Sequence, residues 1–112
     1  MTIDKLVKAQ GKKYGIVIID IDYRDPINAV LAAAQQMVDM LNYALNVPAD
    51  FGEPRDGSVT IYDESKNLSL YRLRLMKKAE HVISQGRFNN AIVVEPLSPI
   101  AESYLPHMKC AR

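Results

Sequence analysis

The sequence predicts a small α/β domain of two or three layers, on three observations. Apolar runs rich in β-branched residues stand at Tyr14 to Ile21 (YGIVIIDI) and Asn90 to Glu95 (NAIVVE), with both alternating faces apolar. A long stretch at helical spacing follows the first of them. Beyond it the pattern switches back to an extended run, Ser58 to Tyr62 (SVTIY), then to a second helical stripe. Such alternation predicts a βαβαβ order with a mainly parallel sheet and right-handed crossovers. If Leu68 to Leu75 is extended instead, the order becomes βαββαβ, which is ferredoxin-like. Either way the expectation is two long helices plus short terminal ones, in a single domain over residues 1–112.

Taken in order, Ile3, Leu6 and Val7 share one side of a possible short helix that Gly11-Lys12-Lys13 interrupts. The first long helix has Asp25 as its N-cap and Pro26 in its first turn. Ile27, Val30, Leu31, Ala34, Val38, Leu41 and Leu45 recur along one face, and Asn46 and Pro48 end it. Val47 to Gly57 (VPADFGEPRDG) reads as a loop, because two prolines, two glycines and acids crowd it. SVTIY is the second strand, and Asp63 to Asn67 a polar turn.

Leu68 to Gln85 supports two readings. Leu68 and Leu70 alternate as in a strand, which would close a hairpin with SVTIY. Leu68, Tyr71, Leu75, Ala79 and Val82 also fall on one helical stripe, and the run is rich in Leu, Arg, Lys and Met. Propensity favours the helix, capped by Asn67 and closed by Gly86. After NAIVVE, Ser98-Pro99 opens a short helix through Leu105 that Pro106 stops.

Composition narrows the function classes. In 112 residues, 48% hydrophobic and 24% charged, a packed core is affordable and disorder is not expected. Fourteen basic against thirteen acidic residues give a net charge of +1, which argues against nucleic acid as the main partner. The densest basic group, Arg72, Arg74, Lys77 and Lys78, is interleaved with leucines and reads as the wet side of a helix. The longest apolar run, Gly15 to Ile19, is too short to cross a bilayer. One cysteine, Cys110, excludes an intrachain disulfide, and no secretory pattern opens the chain, so the cytosol is expected. Strands apolar on both faces with only two long helices to cover them point to self-association as a homo-oligomer.

The candidate site follows from chain direction. In a parallel sheet the carboxyl ends of the strands share one edge, and ligands bind there. That edge would collect Asp20, Asp22, Asp63 and Glu95, with Glu64 and Ser98 nearby. Clustered carboxylates suit a hard cation such as Mg²⁺, a general base, or the hydroxyls of a polar ligand. The same acids also serve ordinary helix capping. A second candidate is the loop DFGEPRD, where Phe51, Glu53 and Arg55 would form an oligomer contact anchored by the aromatic ring. His107 and Cys110 have an H-x-x-C spacing but lack the further ligands zinc needs, and His81 reads as a packing or surface histidine.

Two family resemblances bear on these residues. Ile18 to Asp22, within IIDIDYRDP, resembles the opening Asp-x-Asp motif of the haloacid dehalogenase phosphatases, which would make Asp20 a nucleophile and Asp22 a general acid. Arg24 stands where that family usually has Thr or Val. AAAQQMVDMLN, GSVTI and IVVEP with its short helix are loosely similar to bacterial microcompartment shell domains, which implies self-assembly. There PADFGEPRDG replaces a strand. Three functions thus compete: a non-catalytic ligand-binding or regulatory homo-oligomer, a small Mg²⁺-dependent hydrolase, and a self-assembling structural protein.

Overall fold

The computed structural model describes residues 3–8, 15–19, 26–75 and 91–108. The strands are β1 (Ile3–Lys8), β2 (Gly15–Ile19), β3 (Ala49–Phe51), β4 (Ser58–Asp63), β5 (Leu68–Leu75) and β6 (Ala91–Pro96). Helix α1 (Pro26–Ala44) lies between β2 and β3, and a short α2 (Pro99–Tyr104) runs on into a 3₁₀ turn at Leu105–Met108. The strands form one sheet in the order β1-β2-β6-β5-β4-β3. Every pairing in it is antiparallel.

Both expected architectures, the parallel βαβαβ sheet and the ferredoxin-like order, are therefore overturned. Strand order excludes the ferredoxin-like one, in which β2 would lie between β6 and β5, whereas β6 pairs directly with β5. Connection length excludes the parallel one. A parallel pair needs a crossover of a dozen or so residues, whereas an antiparallel pair closes through a tight turn. Residues 64–67 alone separate β4 from β5, and the turn between Arg55 and Ser58 joins β3 to β4. Neither link can return the chain to the far end of the sheet.

Three local expectations change with it. Ile3–Lys8 is a strand paired with β2, not a short helix. Within the expected loop, Ala49–Phe51 pairs with Ile61 to Asp63. The expected second helix is a strand over Leu68–Leu75, its remainder lying outside the described residues together with Asp25 and Gly86. In LSLYRLRL the alternation of apolar and polar residues outweighs helix propensity, with one slip of phase. Leu70 and Tyr71 are consecutive yet both fully buried. The register shift opposite Ile61/Tyr62 explains it: Ile61 faces Tyr71 and Tyr62 faces Ser69, so Leu70 is the extra residue of a β-bulge. Its carbonyl still accepts the Leu97 N–H at 2.8 Å.

Helix α1 covers one face of the sheet. Its buried positions Ala29, Val30, Ala33, Ala34, Met37, Val38 and Leu41 recur in the spacing of a core-facing helix. The three alanines let its backbone approach the strands, while Met37 and Leu41 fill the space between Val59, Ile61, Leu70 and Leu73. Asn46, in the left-handed region at φ 55°, ends the helix, and the Val47 N–H turns back to the Leu41 carbonyl at 2.8 Å. The expected end of the helix at Asn46 therefore holds, while its expected N-cap, Asp25, lies outside the described residues.

Helix α2 is held to the sheet by packing of Ala101 and Leu105 in the core and by a buried bond. Ser98 is its N-cap, as the sequence indicates, and accepts from Ala101 N at 3.4 Å. At the other end the Leu105 N–H bonds to the Glu102 carbonyl, tightening the last turn. The Ala101 carbonyl instead accepts the Tyr71 hydroxyl. Burial pushes the Tyr71 phenol far above its ordinary value and neighbouring Tyr104 adds to the effect, so the proton this bond needs stays in place.

Three substitutions test this packing by urea denaturation. Leu41→Ala should cost ~2–5 kcal/mol through the cavity it leaves, while Asp39→Ala on the exposed side should cost less than about 0.5 kcal/mol. Tyr71→Phe should cost about 1–2 kcal/mol, because it leaves the buried Ala101 carbonyl without its donor.

Candidate functional site

Strand direction disperses the expected acidic edge. β2 is antiparallel to β6, which runs the same way as β4, so the chain leaves β2 at the edge opposite to Asp63 and Glu95. Asp20 and Asp22 themselves lie outside the described residues, as do His81 and Cys110. Asp63 and Glu95 are two strands apart and on opposite faces. Asp63 continues the row of Val59 and Ile61 on the α1 side, whereas Glu95 pairs across β5–β6 with Arg72 on the other. Among the described residues, no group of three or more His, Cys, Asp or Glu is placed to hold a metal ion. The arrangement that would have held Mg²⁺ thus loses its basis in a shared strand edge.

The two acids have local partners. Asp63 is almost fully buried, and one of its oxygens accepts from Ser65 N at 2.9 Å, Ser65 Oγ at 2.7 Å and Lys66 N at 3.2 Å. These bonds shape the turn from Asp63 to Asn67, which closes with Asn67 at φ 50°. Burial alone would raise the Asp63 carboxyl, but the bonds from Ser65 and Lys66, with the Lys66 charge, hold it below its ordinary value. Glu95 meets Arg72 at 3.4 Å, a half-exposed ion pair of small energetic weight.

The second candidate set divides. Phe51 sits opposite Ile61 and packs against the core cluster, so its ring supports the fold. Glu53 and Arg55 are exposed, and they line a shallow groove with Gly52, Pro54, Ser58 and Thr60. The groove is built by two local devices. Arg55 and Ser58 exchange backbone bonds of 2.8 and 3.0 Å around Asp56-Gly57, both with positive φ (53° and 76°), as in a two-residue hairpin turn. The Gly52 N–H reaches Thr60 O at 3.3 Å, so Glu53 and Pro54 form a bulge between two fixed points. Ser58 Oγ donates to the Arg55 carbonyl at 3.0 Å.

Asp56-Gly57 is the signal in the sequence that could have located this hairpin, since Asp-Gly between extended runs is a preferred turn pair. Ser58 and Thr60 carried no such signal. Compared with known proteins, the chain matches no family model, and neither curated proteins nor solved structures give a match. No helix among the described residues is long and apolar enough to cross a membrane.

The role of Asp63 in its turn has a definite pH signature. Its carboxyl takes up a proton near pH 3.8 when unfolded and at lower pH when folded. Its stabilisation is therefore present above pH 3.8 and lost as pH falls through the folded value. Asp63→Ala should cost about 1–2 kcal/mol at pH 7. That deficit should shrink in urea titrations run at successively lower pH down to 3.

Proposed function

We propose that the chain is a non-catalytic binding or regulatory protein of the cytosol, working as a homo-oligomer. Its ligand is a small polar molecule held in the groove of Gly52, Glu53, Pro54, Arg55, Ser58 and Thr60. The observation that carries this reading is the groove's construction. An exposed acid and an exposed base stand on a bulge that a two-residue turn and a ladder bond fix at either end. A preset arrangement of that kind lowers the ordering cost of binding. Opposite charges beside hydroxyls favour a ligand bearing both an acceptor and a donor.

Two sequence features support the other parts. GIVII in β2 is apolar at both alternating positions, while α1 packs on the β3–β5 side of the sheet, which favours a second copy as cover. One cysteine in the whole chain fits a reducing compartment.

Gly52 supplies the test. A Cβ built there meets nothing within 4 Å, so a larger side chain enters the groove without a steric clash. In a thermal-shift screen of polar metabolites, stabilisation by a hit should disappear in Gly52→Leu and weaken at least tenfold in Arg55→Ala. A hit that binds both variants as it binds the parent chain would overturn the groove assignment. Light scattering that finds a monomer at all concentrations would overturn the homo-oligomer.

A further inference from the structure

The β3 edge is an exposed margin of the sheet, and such margins invite a further strand. Its backbone directions follow from two bonds. Glu64 N–H donates to the Pro48 carbonyl at 2.9 Å, and Gly52 N–H to the Thr60 carbonyl at 3.3 Å. Residues 48, 50 and 52 therefore turn their polar backbone groups toward β4. By antiparallel alternation Ala49 and Phe51 turn theirs outward.

Both outward donors are already occupied by the chain itself. The Ala49 N–H is held by Asn42 Oδ1 at 3.0 Å, an acceptor delivered from the last turns of α1, and also reaches the Val47 carbonyl at 2.8 Å. The Phe51 N–H is held by Asp50 Oδ1 at 2.8 Å. Beyond Phe51 the bulge with Glu53 and Pro54 bends the edge away, and β3 itself is three residues long. Each feature removes a bonding position that an incoming strand needs.

We propose that Asn42 and Asp50 act as a built-in seal that keeps a second copy of this chain from pairing its own β3 edge here. Self-association then proceeds through another surface. The partner excluded is a second β3 in antiparallel register, whose carbonyls would need the Ala49 and Phe51 N–H groups as donors. Asp50 contributes twice, since its carboxylate would also face the same carboxylate of the incoming copy at close range. This inference does not depend on any ligand in the groove.

The test removes the two side-chain acceptors, while the Ala49 N–H keeps its contact to the Val47 carbonyl. In N42A/D50A, light scattering over a hundredfold concentration range should show species larger than those of the parent chain. Hydrogen exchange at the Ala49 and Phe51 amides should slow at least tenfold in those species. Asp50→Asn, which keeps an acceptor oxygen, should remain closer to the parent than Asp50→Ala. If N42A/D50A is folded by circular dichroism and its assembly size is unchanged, the seal is refuted. Larger species without slowed exchange at those two amides refute it equally. Should the double variant not fold, Asp50→Ala alone decides by the same two readouts, because Asp50 is exposed and outside the core.

Discussion

Residues 64–67 span the gap between β4 and β5, and a chain that short can only double back. From this constraint the rest of the molecule follows. Once β4 and β5 are antiparallel, the Leu70 bulge brings both halves of LSLYRLRL to face the same side, and one apolar surface results. Helix α1 lands on that surface because its alanines at 29, 33 and 34 allow close approach. Tyr71, placed by the same bulge, reaches across to hold α2 through the Ala101 carbonyl. Shifting the bulge by one residue would turn either Leu70 or Tyr71 away from the core.

The polar side chains divide between structure and surface along the same line. Asp63 spends its acceptor capacity on its own turn, which explains how a carboxylate is tolerated on the buried row of Val59 and Ile61. Asn42 and Asp50 close the outward donors of β3. Glu95 and Arg72 meet on the opposite face, in a pair that solvent screens. Among the described residues, Glu53 and Arg55 stand exposed on the fixed backbone of the bulge beside the Asp56-Gly57 turn.

Edge management and groove formation are two results of one irregularity. The extra residue in the 52–55 segment breaks the β3–β4 ladder, which shortens the exposed edge and opens space beside Ser58 and Thr60. A regular hairpin would have had a longer edge and no groove. The fold thus places an exposed polar cluster beside an edge that the bulge shortens against strand addition.

Helix α1, the strands at Ile16, Ile61 and Val93 and the cap at Ser98 were determined by the sequence, because periodicity and capping are local and each segment carries them alone. The slip of phase in Leu70-Tyr71 and the Asp56-Gly57 turn were also written there, though helix propensity and two prolines masked them. Strand direction was not legible. It depends on which segments become neighbours, and the apolar faces of YGIVIIDI and NAIVVE satisfy parallel and antiparallel pairing alike. Tertiary structure alone therefore decided that Asp63 and Glu95 occupy opposite faces, and that Phe51 belongs to the core. It also decided that Asn42, on the last turns of α1, sits against the β3 edge.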